Sequence, residues 1–461
     1  MGLQQPARAA ASAKAARLDA RDNKVPVRTG RAARSRAVPS GKDVGGAYDD
    51  GTRRTEILQT AASLIASSGL RTSLQEIADA AGILPGSLYH HFESKEAILV
   101  ELVRRYHADL ERIGEIAHDR LDDPGSRPIS DKIVELGSAI ARCAVQHRAA
   151  LQMSFYEAPS ANRELVALLR QPPTAVQDAM LQTLRAGRWS GYIRADIELP
   201  TLADRICQSM MHVGLDVIRH TAVADEAAAL LCRIMLQGLA SRPPSDEELN
   251  RSKAFAVAEE AIETWTEEGK SEADDKAAYV RAVARAEFGR KGYEVTTIRD
   301  IASAAGLGTG TVYRLIGSKD ELLASIMESF GHKAGGGFAS VLRADATPVE
   351  KLDALTWINI NALDRFPDEW KIQLAWMRQS PPDTPNPGLL FTMRLRQLKS
   401  LLSEGIRSKD IRIDSPSLEM LSRCVMDVLW MPENIVRTQG KQTALTLARD
   451  TVVRGVAERT G

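Results

Sequence analysis

Apolar residues recur at three- and four-residue spacing along most of the chain, as in AILVELVRRYHADLERI from Ala97. That is the period of an amphipathic helix. No run alternates apolar and polar positions over the length of a strand, so the pattern predicts an all-α protein. Within it, Ser73 with Glu76 and Thr297 with Asp300 set a hydroxyl and a carboxylate three residues apart at the head of an apolar-periodic segment. This is the signature of a capped helix N-terminus. Each short helix carries an Ile-Ala pair (Ile77 and Ala78, Ile301 and Ala302) and is stopped by a glycine, Gly82 or Gly306, suited to positive φ. In the first instance the next helix opens at Pro85, where a missing N–H costs nothing, and runs through Ser87, Leu88, Tyr89, His90 and His91. Two short helices joined by a glycine turn predict a helix-turn-helix, with Ile77, Leu88 and Phe92 as its small core. A further helix starts at Ser94, and at Ser318 with Glu321 in the second instance.

These segments are copies of one another. A constant offset of 224 pairs Ile77, Ala78, Ala81, Gly82, Gly86, Tyr89, Ser94 and Lys95 with Ile301, Ala302, Ala305, Gly306, Gly310, Tyr313, Ser318 and Lys319. Downstream, an offset of 218 pairs Gly187, Ile193, Arg194, Asp196 and Arg205 with Gly405, Ile411, Arg412, Asp414 and Arg423. The repeated unit is about 190 residues long, the size of a globular domain and not of a solenoid repeat. The expected organisation is a basic tail over residues 1–50, a helix-turn-helix segment over 51–111, a further helical segment over 112–240, a linker over 241–271, and the second copies of the two segments over 272–334 and 335–461. In the linker, Phe255, Ala258, Ile262 and Trp265 share one helical face, predicting a connecting helix that packs on one copy.

Charge and composition narrow the function. Lys plus Arg and Asp plus Glu both number 60, so affinity for nucleic acid must come from local patches. The tail holds ten basic and five acidic residues and reads as a solvated segment. No apolar run reaches the roughly 18 residues that would span a bilayer, and the first residues lack a signal-peptide core. The chain therefore reads as cytoplasmic. Cys143, Cys207, Cys232 and Cys424 lie scattered in apolar helical segments and read as reduced, buried side chains, not as a zinc site. His90 and His91, as helix neighbours, point about 100° apart, which is wrong for joint metal ligation. GLGTG at residues 306–310 follows no strand, so it does not make a nucleotide loop. No cofactor, no metal and no assembled nucleophile, base and orienting residue are expected. GHKAGGG at 331–337 reads as a helix end and loop.

Residues 53–99 resemble the N-terminal signature of the tetracycline-repressor-like (TetR/AcrR) transcriptional regulators. That signature is an apolar helix ending in Gly, then a short helix-turn-helix closing on Tyr, two variable residues, Phe, Ser or Asn, Lys and an acidic residue. Residues 276–323 are similar to it, with Ile316 in place of Phe92 and Gly317 following. The resemblance implies two tandem units in one chain, each a three-helix DNA-binding head on a larger body that binds a small-molecule effector and dimerises through its last two helices. Over the helix-turn-helix segments at about 73–92 and 297–316, it implies DNA contact by Gln75, Gly86, Ser87, Tyr89, His90, His91 and Lys95. In the second copy the corresponding residues are Arg299, Gly310, Thr311, Tyr313, Arg314 and Lys319. It implies an effector pocket in each body, for which Phe155, Tyr156, Met180 and Met211, and Trp357, Trp376, Met377 and Trp430, are the candidate walls. Those side chains suit an apolar or aromatic effector. The expected function is a transcriptional regulator, a repressor released from double-stranded operator DNA by its effector. The alternatives are a helical interaction scaffold with inactive heads, or an enzyme built on GLGTG. The two copies would pair within one chain as a pseudo-dimer, or between chains as a homodimer. The segments from about 200 to 239 and 417 to 458 are the candidates for that packing.

Overall fold

The computed structural model describes residues 46–70, 72–121, 127–153, 162–220, 223–268, 276–293, 295–379 and 389–459. Copy one begins with α1 (Gly46–Ser68), α2 (Leu74–Ala80) and α3 (Pro85–His91), which form a head, and continues into the long α4 (Lys95–Leu121). Its body adds α5 (Ile129–Gln146), α6 (Arg148–Met153), α7 (Arg163–Arg170), α8 (Thr174–Trp189), α9 (Leu199–His220) and α10 (Ala224–Gln237). The linker folds as α11 (Asp246–Asn250) and α12 (Lys253–Glu268). Copy two repeats the plan with a head of α13 (Lys276–Lys291), α14 (Ile298–Ala305) and α15 (Thr309–Ile316), followed by the long α16 (Lys319–Arg343). Its body comprises α17 (Pro348–Arg365), α18 (Pro367–Gln379), α19 (Leu389–Ser408), α20 (Leu418–Val428), α21 (Glu433–Gln439) and α22 (Lys441–Ala448). A π-helical turn, Arg449–Arg454, closes it. The fold is all-α, and the described residues contain no strand, only two isolated bridges.

Capping sets the helix starts. Ser73 with Glu76, Thr297 with Asp300 and Ser318 with Glu321 each form the reciprocal box expected from their spacing. Gly82 and Gly306 take φ of 65° and 67°, left-handed values that end the short helices. The segment GHKAGGG is not a loop: it lies inside α16. Gly337 explains why. A Cβ there would come 2.9 Å from Ile358 Cδ1 and 3.5 Å from both Ala261 Cβ and Trp265 Cζ2, so the bare backbone is what lets α12 and α17 approach. Tertiary packing outweighs the roughly 1 kcal/mol that each helical glycine costs relative to alanine. The connecting helix α12 buries Ala254, Phe255, Ala258 and Trp265 against α16 and α17.

The bodies of the two copies meet through α9 and α10 on one side and α20 and the π-turn on the other. At the centre, Gly238 and Gly455, with φ of 69° and 83°, lie backbone against backbone. A Cβ on Gly238 would overlap Arg454 and Gly455, and one on Gly455 would overlap Leu236 and Gln237. The two copies exchange main-chain hydrogen bonds here: Leu239 N to Val452 O (2.8 Å), Ala240 N to Val453 O (2.9 Å) and Ala457 N to Leu236 O (2.8 Å). The two isolated bridges, Ile193 with Ala457 and Ala240 with Ile411, relate the copies by an approximate exchange. Ile193 and Ile411 are themselves partners in the 218-residue register. Around this centre Arg205, fully buried, donates to Val428 O at 2.8 Å, which places a cation on the negative end of α20. Asn434 donates to Asp204 and accepts from Gln208, and the His212 and Trp430 rings lie 4.1 Å apart.

Candidate nucleic-acid interface

In head one, Ile77, Ala78, Leu88 and Phe92 are buried and fix the crossing of α2 and α3. Two arginines on α1 brace that core. Arg54 lays its guanidinium 4.6 Å from the Phe92 ring centroid and pairs with Glu101 of α4 at 3.2 Å. Arg53 donates to Ala81 O at 2.9 Å, next to the turn. In head two, Ile301, Ala302 and Val312 are buried, but Ile316 is only half-buried and Gly317 ends α15 at φ of 68°.

The two heads expose the same tyrosine, with different side chains around it. Tyr89 and Tyr313 are each 55% exposed, which excludes a core role for either ring. Around Tyr89, the side chains of Gln75, Ser87 and His90 are exposed, His91 is half-buried and Gly86 is open. Around Tyr313, Arg299 and Arg314 are exposed, Thr311 is half-buried and Gly310 is open. At offset 224 these positions pair as Gln75 with Arg299, Ser87 with Thr311, His90 with Arg314 and His91 with Leu315. Gln75 donates to Asp79 at 2.8 Å, which orients its amide along α2.

The paired lysines are held differently. Lys95 donates to Leu70 O across the α1–α2 turn, and burial pulls its ammonium below the usual lysine range. Lys319 instead sits 4.2 Å from the Tyr293 ring centroid, and the Tyr293 hydroxyl donates to Asp320. Upstream of the helix-turn-helix the register shortens to 223, pairing Gly69 with Gly292, so Tyr293 stands where Leu70 stands in copy one. Neither Leu70 O nor the bracing arginines were singled out from sequence. The tie between turn and lysine is a main-chain contact with no residue-type signal, and Arg54 reaches Phe92 from a different helix, so neither contact has a local sequence signal.

Of the candidate effector walls, four are described. Met180 and Met211 are core residues, Trp357 stacks on Phe255 of α12 at 5.8 Å, and Trp430 lies at the meeting of the two copies. Phe155, Tyr156 and the side chains of Trp376 and Met377 lie outside the described residues.

The chain is similar in sequence to known bacterial regulators. The profile of the bacterial regulatory proteins of the tetR family matches twice, at residues 57–102 and 280–326, covering both helix-turn-helix segments. The HTH-type transcriptional repressor KstR2 of Rhodococcus jostii is 37% identical over 193 residues, 41% of this chain and 92% of that protein. The HTH-type transcriptional regulator UidR of Escherichia coli is 28% identical over 188 residues, 40% of this chain and 92% of that protein. Among solved structures, the ketosteroid transcriptional regulator KstR2 of Mycobacterium tuberculosis is similar at 26% identity and a TM-score of 0.32. That match covers 38% of this chain and 89% of that one. Each of these relatives is about as long as one repeat.

Proposed function

We propose that this chain, which belongs to the tetR family of bacterial regulatory proteins, is a DNA-binding transcriptional regulator in which one polypeptide supplies both reading heads. The observation that carries this reading is the pairing of two exposed, equivalent tyrosine-bearing helices with a main-chain junction at Gly238 and Gly455 inside the same chain. The chain acts as an intramolecular pseudo-dimer and represses from an asymmetric operator. Tyr89, Lys95, Tyr313 and Lys319 contact phosphates, while Gln75, Ser87, His90, His91, Arg299, Thr311 and Arg314 lie at base edges. Arg314 can meet guanine bidentately, worth about 1–3 kcal/mol of discrimination, which His90 at the equivalent position cannot do. Affinity falls with salt as phosphate-bound cations are released.

Control is a population shift. A small molecule in a body favours a spacing of the heads that no longer matches successive major grooves, about 34–36 Å apart. The head–body contacts support such coupling: in copy two Arg285 of α13 pairs with the buried Glu369 of α18 at 3.1 Å, and in copy one Gln152 of α6 donates to Ala66 O of α1 at 3.2 Å. The chain acts in the cytoplasm, where its DNA is, and no helix among the described residues is long and apolar enough to cross a membrane.

The test is selection of bound duplexes from a random library with the intact protein, repeated with Tyr89→Ala and Tyr313→Ala. The expected result is an asymmetric site that loses a different half in each variant, the half read by copy two being richer in guanine. A palindrome lost only with Tyr89→Ala would contradict the two-headed reading. Absence of any selected sequence would favour a scaffold.

A further inference from the structure

The two long helices that carry the heads are treated differently by the rest of the chain. In copy two α12 lies along α16 and α17, with Ala261 and Trp265 against Gly337, Phe255 stacked on Trp357 and Trp265 5.5 Å from Phe366. Copy one has no described helix in that place. At offset 224 Gly337 corresponds to Ile113 of α4. Aligning α5 and α17, both 18 residues long, pairs Ala354 with Glu135, Ile358 with Ala139 and Asn361 with Arg142. In α17 all three are buried, whereas in α5 Glu135 and Ala139 are half-buried and Arg142 is exposed.

What α12 covers in copy two is an open cleft of about 290 Å³ between α4 and α5 in copy one. Ile113, Ile116, Leu136 and Ala139 supply its apolar surface. Its charged lining is Arg112, Arg120, Lys132 and Arg142 against Asp109 and Glu135. Arg112 pairs with Asp109, Arg120 with Glu135, and Arg142 with Asp225 just outside the lining. That leaves Lys132, bonded to the Arg120 and Leu121 carbonyls, as the one cation in excess. A second cleft, about 760 Å³, shares Glu135 and Arg142 and reaches Arg233 of α10. An apolar floor with a cationic rim fits a small amphipathic anion, an apolar body bearing one acidic group.

We propose that α12 is a built-in clasp that closes copy two and fixes its head-bearing helix, so that the chain takes a single small amphipathic anion, in the α4–α5 cleft of copy one. Head two is then the constant anchor on DNA and head one the part that responds. This rests on the ligand-responsive reading above, but it is tested without DNA, so a failure here and a failure of operator binding are seen separately.

The test uses the full chain and anilinonaphthalene sulfonate, an anionic aromatic dye, with neutral N-phenylnaphthylamine as control. Titration should give one saturable sulfonate site per chain and weaker binding of the neutral dye. Ala139→Trp, which fills the copy-one cleft, should weaken sulfonate binding at least about tenfold, the equivalent of about 1.4 kcal/mol. Trp265→Ala should open a second site. Should that variant fail to fold, hydrogen exchange of the unaltered chain decides: dye should protect α4 and α5 and leave α16 and α17 unchanged. Two sites in the unaltered chain, no saturable site, indifference to Ala139→Trp, or protection of α16 and α17 would each overturn the clasp.

Discussion

Head one and head two present the same tyrosine to the same extent, yet they are supported by different means. Phe92, buried beneath Arg54, locks α3 in copy one, while Ile316 and the left-handed Gly317 leave the end of α15 less constrained. The bodies show the reverse. Copy one leaves a flank of α4 open, and copy two is closed by α12 and by a buried ion pair, Arg449 with Asp353 at 2.9 Å. Asp353 corresponds to Val134 in copy one, so this buried ion pair has no counterpart there. The difference teaches that a duplicated domain can keep the exposure of one tyrosine fixed while the side chains around it and the supports of head and body diverge.

The largest effect should come from breaking that asymmetry in the body. Arg449 donates to both Asp353 oxygens and to Asn250 of α11. Arg449→Met alone leaves an uncompensated buried carboxylate and should cost about 3–5 kcal/mol in denaturant unfolding. The double change with Asp353→Leu should recover much of that loss.

The heads give the next contrast. Phe92→Ala should destabilise head one by about 3–5 kcal/mol. Ile316→Ala, at a half-buried site, should cost about 1–2 kcal/mol, because less area leaves water there. Local hydrogen exchange in α3 and α15 would read both; equal losses would remove the contrast. At the junction, Gly455→Ala combines an overlap with Gln237 and a left-handed φ, and should cost about 2–4 kcal/mol. Its signature is a loss of protection in α10 and the π-turn, with both heads intact.

Much of this was legible in sequence. The capping boxes, the glycine stops, Pro85 at the first turn of α3 and the apolar face of α12 all follow from local chemistry, and the structure places each where its spacing puts it. The glycines of α16 were not legible, since a glycine run reads as a loop until a neighbour is known to need the space. The tie of Lys95 to Leu70 O and the burial of Arg205 under α20 are likewise products of tertiary placement. Gly238 and Gly455 did carry a signal: each directly follows an apolar-periodic helix, nearly in the register already marked by Ile193 and Ile411.

The smallest expected effect is on pH. Hydrogen bonds from Ser73 and Ser318, main chain first, hold Glu76 and Glu321 below the ordinary carboxylate range. Carboxylates so held contribute stability that is present above their unfolded pKa and lost as pH falls through the lower folded one. Head stability should therefore decline as pH is lowered below about 4.5, and Ser73→Ala, which removes the hydroxyl bond and keeps the main-chain one, should reduce that slope in part and in head one only.

The central claim is that one chain brings both heads to one operator. Native mass measurement of the intact protein on a selected duplex tests it directly. One 50.3 kDa chain per duplex, with both tyrosine-bearing helices protected from exchange, is the predicted result. Two chains per duplex, with only head one protected in each, would contradict it.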